Sequence, residues 1–334
     1  MTGRTILCAI ALLVGAGCGS HVASTSAPPA TRPPVPIGPR LLAQFDHGVG
    51  VVSQGSADPL WTDPAAVAAL DGSAVFSIRR SPAGDQLARI DPDTGTAVSS
   101  WPLTAGAASI GAVAPGGRWV VLTDREAGYS APEPRPSTKL FVFDAVDGRM
   151  TYQLDLSGDL RPEAFSVNGS LVFALDYRGD HYRVETIELA TSMHYDTASR
   201  DKAVEREDMH GNAVRGVLSR DHTLLATLYR NPGDDDEPAF VHILDLRNGW
   251  AYCADLPAPF GSDAEHADRI ELTPAGTALV TAGDGSRVAD IHIEEVHEPG
   301  DTPVTIEYRD GTTVAGAPAY GRAPGFASVI APLR

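Results

Sequence analysis

Residues 216–257 read GVLSRDHTLLATLYRNPGDDDEPAFVHILDLRNGWAYCADLP, and their pattern is repeated along the chain. Residues alternate in short runs that we count as apolar, at Leu224, Ala226 and Leu228 and again at Phe240, His242 and Leu244. Each run is bounded by Asp, Asn, Gly or Pro, which favour tight turns. Alternation of this kind between turn residues is typical of antiparallel strands, so the stretch predicts four short strands in succession.

The same plan recurs along most of the chain. Tight turns after the first strand of each unit are predicted at spacings of 45, 52, 53 and 54 residues, at Gly72, Gly117, Gly169, His222 and Gly276. A second turn of the form D-x-x-x-G is predicted between the third and fourth strands, at Asp91/Gly95, Asp144/Gly148 and Asp245/Gly249. Repeats of this length are typical of the blades of a β-propeller.

The two ends of the chain each carry part of one further repeat. The stretch FDHGVGVVS contains Asp46 and Gly50 and is interpreted as the second half of a blade, whereas PGFASVIAPLR at the C-terminus is interpreted as a first half. We therefore predict an all-β, six-bladed propeller in which residues 45–53 and 326–331 share a sheet, with two strands from each end. A shared blade closes the ring and removes its open edges. Seven blades are the alternative.

Residues 1–17 are predicted to be an export signal. Arg4 precedes nine apolar residues, 6–14, which is too short for a bilayer span of about 20 residues. The following Gly-Ala-Gly-Cys resembles the lipobox of bacterial lipoproteins, although Gly15 stands where that family usually has Leu. The resemblance implies that Cys18 is lipidated, with palmitate-type acyl chains, and anchored on the outer face of the cytoplasmic membrane. Ordinary secretion is the alternative.

Residues 18–40 are rich in Ala, Ser, Thr and Pro, and this composition favours an extended tether rather than a packed core. Residues 41–334 then form the propeller domain, which we expect to be a monomer. The net charge of -17 argues against nucleic acid as a partner and against electrostatic attachment to anionic membranes, so contact with the membrane is expected through the lipid anchor only. Cys253 would be the lone cysteine of the mature chain and is expected to be a small core residue.

Motifs for nucleophilic, zinc-dependent or nucleotide chemistry are absent: the sequence has no G-x-S-x-G, no H-E-x-x-H, no paired C-x-x-C and no P-loop. No catalytic residue and no cofactor are therefore predicted, and a binding protein is favoured over an enzyme. The loops entering the fourth and fifth blades hold the candidates for a divalent cation, Asp208, His210, Glu265 and His266. Solvated loops without a metal are the alternative.

One recurrence predicts a binding site. Eight residues after each turn, where the second strand reaches the rim, the chain places Arg80, Arg125, Tyr177, Arg230 and Asp284, and Arg178 follows Tyr177. Guanidinium groups bind carboxylate and phosphate groups through two parallel hydrogen bonds, so a ring of them would suit an anionic ligand. Ion pairs between neighbouring blades are the alternative, because acidic residues lie close by in the sequence.

The repeats resemble YVTN-type and WD-repeat-like propeller repeats of bacterial envelope proteins. VAPGGRWVVLTD with KLFVFDAVDG, and LSRDHTLLATLY with FVHILDLRNG, carry this resemblance. The scarcity of Lys beside abundant Ala, Gly and Arg is similar to actinobacterial proteins. The resemblance implies a propeller, and propellers serve many functions. We expect a tethered binding or scaffold module for an envelope protein or a small anionic ligand. The alternative is a hydrolase or lactonase with a site at the channel mouth.

Overall fold

The computed structural model of the protein describes residues 39–45, 48–53, 58–103, 106–125, 134–199, 208–219, 221–231, 238–262, 268–272, 278–293, 304–311 and 326–333. These residues belong to one compact unit, Ile37–Arg334. Among them, no helix is long and apolar enough to cross a membrane.

The strands of the first third are β1 Arg40–Phe45, β2 Val49–Ser53, β3 Pro59–Asp63, β4 Ala66–Ala68, β5 Val75–Arg79, β6 Gln86–Ile90, β7 Ala97–Pro102, β8 Ser109–Val113 and β9 Trp119–Thr123, with a single 3-10 turn at Pro115–Gly117. Then follow β10 Ser137–Asp144, β11 Arg149–Ser157, β12 Asp159–Phe165, β13 Leu171–Tyr177, β14 His181–Glu188, β15 Met193–Asp196, β16 Ala198–Ser199, β17 Met209–His210 and β18 Asn212–Leu218. The last are β19 Leu224–Arg230, β20 Ala239–Asp245, β21 Trp250–Leu256, β22 Arg269–Leu272, β23 Ala278–Thr281, β24 Arg287–Ile293, β25 Val304–Asp310 and β26 Phe326–Leu333.

The described strands form six sheets, each built around four antiparallel strands, which fits the six blades predicted. In chain order, blade 1 is β4-β5-β6-β7, blade 2 is β8-β9-β10-β11, blade 3 is β12-β13-β14-β15, blade 4 is β18-β19-β20-β21, blade 5 is β22-β23-β24-β25 and blade 6 is β26-β1-β2-β3. Two short strands extend this plan, since β17 pairs with β14 and β16 pairs in parallel with β21. The protein is a β-propeller.

Blades pack face to face through apolar side chains, because alternate residues of a strand point to opposite faces of its sheet. In β20, Val241 and Ile243 pack towards blade 5, whereas Phe240 and Leu244 pack towards blade 3. All seven residues of β20 are buried for this reason. Equivalent apolar clusters join blades 1 and 2, 2 and 3, and 6 and 1.

Blade 6 unites the two ends of the chain, as predicted, but with a different division of strands. Phe45 lies opposite Phe326, and the remainder of β1 pairs along β26. The C-terminus gives one long strand and the N-terminal region gives three, rather than two strands from each end. Gly50 therefore lies in β2, the third strand of its sheet, and does not follow the turn between the third and fourth strands. Asp46 lies outside the described residues. The D-x-x-x-G match at residues 46–50 therefore does not mark a turn between third and fourth strands, whereas the other three matches do.

Four of the five predicted turns lie within the described residues and share one backbone conformation, whereas Gly276 lies outside them. Gly72, Gly117 and Gly169 have φ angles of 70°, 70° and 71°, and His222 has the equivalent position with a φ of 60°. This left-handed region suits glycine and is unusual for a residue with a Cβ atom. His222 thus follows the repeat in backbone geometry although it departs from it in residue type.

Candidate functional site

Three of the predicted arginines join their own blade to the beginning of the next blade. Arg80 donates a hydrogen bond to the carbonyl oxygen of Ala108 at 2.7 Å, immediately before β8. Arg230 donates through Nε to the carbonyl oxygen of Gly261 at 2.9 Å, between β21 and β22. Arg125 forms an ion pair with Asp159, the first residue of β12. The repeat places each guanidinium where one blade ends and the next begins.

The Arg125–Asp159 pair is the most buried of these contacts. The two side chains are 3% and 1% exposed, and the guanidinium lies over the ring of Tyr177, 6.0 Å from its centre. Ser109 Oγ donates to the Arg125 carbonyl oxygen at 2.6 Å, which adds a contact to the inner strand of blade 2. A charge pair buried to this degree needs both partners, because either charge alone would be strongly destabilising there.

Arg178 and Asp284 make contacts inside their own blade. Arg178 donates through Nε to Asp176 at 2.8 Å and lies 3.3 Å from Glu185, and the hydrogen bond to Asp176 is the main cause that raises the pKa of Arg178. Asp284 accepts hydrogen bonds from the backbone N–H and hydroxyl of Ser286, at 2.8 and 2.7 Å, in the turn before β24.

Half of the predicted cation-binding group lies within the described residues. Asp208 forms an ion pair with Arg183, which is the main cause that lowers the pKa of Asp208, and His181 Nε2 lies 3.4 Å from it. The ring of His210 lies beside that of His181, 5.8 Å between ring centres and tilted by 50°. Glu265 and His266 lie outside the described residues, as does Cys18. Among the described residues no group of three or more His, Cys, Asp or Glu side chains is arranged to hold a metal ion.

A second set of arginines lies on the inner strands, which surround the axis of a propeller. Strand β8 lies beside both β4 and β12, and β18 lies beside β22, which identifies the first strand of blades 1 to 5 as the inner one. Arg161 on β12 and Arg215 on β18 have the same register, since they lie opposite Leu175 and Leu228, the fifth residues of β13 and β19. Arg269 begins β22 of the next blade. Three consecutive blades therefore each contribute one guanidinium near the start of the inner strand.

Two carboxylates accompany these arginines. Arg269 and Glu271 are two residues apart on β22 and both are exposed. Arg215 is half-buried, and burial lowers its pKa while the charge of Glu271 opposes that shift. An arginine side chain stays charged at neutral pH despite such a shift. The Arg215 guanidinium is therefore a half-buried cation near the exposed carboxylate of Glu271.

Glu163 lies two residues after Arg161 on β12 and reaches across to blade 4. Its Oε1 accepts hydrogen bonds from Thr227 Oγ1 at 3.2 Å and from the Tyr229 hydroxyl at 3.4 Å. The side chain keeps some exposed surface, but Oε2 is out of contact with solvent and has no hydrogen-bond partner among the described residues. Burial raises the pKa of Glu163, and the Thr227 bond, the charge of Arg161 and the Tyr229 bond offset only part of this shift.

A polar side chain also lies deep between blades 3 and 4. His242 on β20 is 1% exposed, and within the described part of the chain neither ring nitrogen has a hydrogen-bond partner. Burial lowers its pKa to about 4, so the imidazole is neutral at neutral pH. His242 lies opposite Cys253 on β21, and Cys253 Sγ lies 3.7 Å from Met209 Sδ.

The sequence prediction missed the inner-strand residues because it followed the positions after each turn. Counting backwards from the same turns reaches Arg161 eight residues before Gly169, and Arg215 and Arg269 seven residues before His222 and Gly276. That recurrence was present in the sequence. Glu163 and His242 gave no such signal, since their environment is created by packing between blades.

No family model and no curated protein matches this sequence. Solved structures similar to this chain include the periplasmic gluconolactonase PpgL of Pseudomonas aeruginosa, with 16% identity, a TM-score of 0.44 and coverage of 81% of this chain and 82% of that one. The β-propeller domain of Cps50 (Swd1) from Myceliophteria thermophila has 12% identity, a TM-score of 0.43 and coverage of 81% and 74%. TolB from Acinetobacter baumannii has 13% identity and a TM-score of 0.41, with 83% of this chain matching 64% of that one. The strand order establishes the propeller fold, and similarities at this level carry no conclusion about ligand or reaction.

Proposed function

We propose that this propeller binds a small anionic ligand at the inner strands of blades 3 to 5. The observation that supports this is the placement of Arg161, Arg215 and Arg269, one on each of three consecutive inner strands. The chain as a whole carries a net charge of -17, so a local group of guanidinium side chains is unusual in it. Of the two partners expected from the sequence, the small anion is the one that these residues favour.

The chemistry of the neighbours narrows the ligand class. Guanidinium groups bind carboxylate and phosphate oxygens through charge-assisted hydrogen bonds. The Glu271 carboxylate can only accept hydrogen bonds. Because burial raises the pKa of Glu163, a larger fraction of this side chain is protonated at a given pH than of an ordinary carboxyl group, and the protonated form can also donate. A ligand with one anionic group and several hydroxyl groups would pair with both kinds of side chain.

Calorimetric titration of the full chain with inorganic phosphate and with citrate tests this proposal. A charge-assisted hydrogen bond contributes about 1.5–3 kcal/mol. We therefore expect Arg215→Gln and Arg269→Gln each to weaken binding about 10- to 100-fold. The matched control is Arg149→Gln, an exposed arginine on the outer strand β11. Absence of binding by either anion, or an equal loss in the Arg149 variant, would refute the proposal.

A hydrolase or lactonase is the second candidate, and Glu163 is the observation that favours it. A carboxylic acid whose pKa is raised by burial, beside Arg161, has the properties of a general acid. In that case Glu163→Gln should keep anion binding and reduce lactone hydrolysis by about 10²–10⁴-fold. Wild-type protein that turns over no lactone in a panel of ring sizes would exclude this candidate.

The cellular location of the protein is a second proposal. We propose that Cys18 carries the lipid anchor and residues 18–40 the tether, which would place the domain at the outer face of the cytoplasmic membrane. Two or more acyl chains hold a protein firmly on a membrane, whereas one binds reversibly. Cys18→Ser should move the protein from the membrane fraction to the soluble fraction, and Cys253→Ser should not. Unchanged fractionation of Cys18→Ser would contradict lipidation.

A further inference from the structure

The interface between blades 3 and 4 brings together three side chains with soft or nitrogen donor atoms. Cys253 and His242 are directly opposed on the antiparallel pair β20–β21. Opposed residues of such a pair project from the same face of the sheet, with Cβ atoms about 4.5–5.5 Å apart. Met209 belongs to β17, which is attached to blade 3 opposite Tyr182, and its Sδ lies 3.7 Å from Cys253 Sγ.

The surroundings of these atoms are apolar and aromatic. The Tyr229 ring stacks on Phe240, with 4.9 Å between ring centres. The rings of Tyr229 and His242 meet edge to face, with 6.3 Å between their centres. Tyr182 lies against Tyr229 at 5.7 Å. These aromatic rings restrict the access of water to the donor atoms.

His242 is the feature that packing alone does not explain. It is 1% exposed, and in the described part of the molecule both of its ring nitrogens lack a hydrogen-bond partner. Its polar cross-strand neighbour Thr227 directs its hydroxyl to Glu163 instead. Buried polar groups in folded proteins are nearly always paired, so this imidazole has hydrogen-bonding and ligating capacity that the described part of the chain does not use.

We propose that Cys253, Met209 and His242 bind a soft monovalent metal ion, Cu(I), between blades 3 and 4. Thiolate and thioether sulfur are soft ligands that suit Cu(I), and imidazole also binds copper. The thioether distinguishes this set from a structural zinc site, which uses Cys, His and carboxylate donors. The proposed ion is separate from the inner-strand arginines and requires neither the anion nor a reaction.

Silver(I), which is soft and keeps its oxidation state when no reductant is present, is the first probe. The full chain also contains Cys8 and Cys18, so all titrations use a Cys8→Ser/Cys18→Ser background. Ag(I) is titrated under nitrogen without a reductant, and Cu(I) is then measured under ascorbate against bicinchoninate. We expect one equivalent of either ion per chain in that background and none after Cys253→Ser. Met209→Leu should weaken binding at least 10-fold, and Met193→Leu, which changes an exposed methionine of β15, should not.

His242→Gln should weaken binding at least 10-fold as well. If that variant does not fold, Met209→Leu decides, because Leu and Met have similar volumes and the exchange is well tolerated in cores. The proposal is overturned if the background protein binds no stoichiometric Ag(I) or Cu(I). It is equally overturned if Met209→Leu binds as tightly as Met193→Leu, since the thiol alone would then account for the binding.

Discussion

Removal of the Arg125 guanidinium should destabilise the fold, because it breaks the buried ion pair with Asp159 that joins blades 2 and 3. In Arg125→Met, Asp159 would remain at the start of β12, 1% exposed, with its charge no longer compensated. Breaking a buried ion pair in this way costs about 3–5 kcal/mol. At about 2–4 °C per kcal/mol for a domain of this size class, the melting temperature should fall by on the order of 10 °C.

Urea and thermal unfolding of the full chain measure this loss, and two further variants interpret it. Arg80→Met removes a guanidinium that is exposed and bonded to a neutral carbonyl, so it should cost at most about 1 kcal/mol. The double variant Arg125→Met/Asp159→Leu replaces both charges by apolar groups and should regain most of the stability. A loss below about 1 kcal/mol in Arg125→Met, or a double variant no more stable than the single one, would refute the structural role of this pair.

Three other predictions concern the turns, the shared blade and the buried acid. His222→Gly should stabilise the domain by about 1 kcal/mol, because glycine adopts the left-handed backbone conformation of this position without strain. Gly169→Ala should destabilise the domain, since a Cβ would lie 2.7 Å from the Trp119 ring. Chemical unfolding measures both variants, and a loss of stability in His222→Gly would contradict the first expectation. Deletion of residues 326–334 should expose the edge of β1 and cause aggregation or a lower melting temperature; a truncated chain that melts like the full one would show that β26 contributes nothing. The pKa of Glu163 is raised in the folded state, so protonation of this carboxyl group favours the folded state. That stabilisation is complete below the ordinary carboxylate pKa and is lost as pH rises through the folded value. Glu163→Gln should therefore gain stability over wild type as pH increases, and parallel curves from pH 4 to 8 would contradict this.

Much of the fold could be predicted from the sequence because a propeller repeats its turns. The positions of Gly72, Gly117 and Gly169 all have positive φ, and the unlike residue His222 was placed among them by spacing alone. The division of blade 6 could not be predicted, because the N-terminal match at Gly50 has the letters of the repeat without its strand position.

Side-chain partners were harder to predict than strands. Asp159 lies 34 residues beyond Arg125, and only the packing of blade 2 on blade 3 brings them together. The acids closest to the arginine in sequence were the expected partners, and one of them, Asp124, instead binds Arg135 at 2.7 Å. Glu163 and His242 acquire their properties through burial between blades, which a repeat of turn residues does not encode.

The position of a bound oxyanion distinguishes a site at the inner strands from binding elsewhere on the propeller. Crystals of the protein soaked in selenate, a tetrahedral anion with a strong anomalous signal, would show where the chain binds such a group. The inner-strand proposal predicts a selenium peak within hydrogen-bonding distance of Arg215 and of Arg161 or Arg269, absent in crystals of Arg215→Gln. Selenate found only at outer strands such as β11, or at the same place in the Arg215 variant, would contradict it.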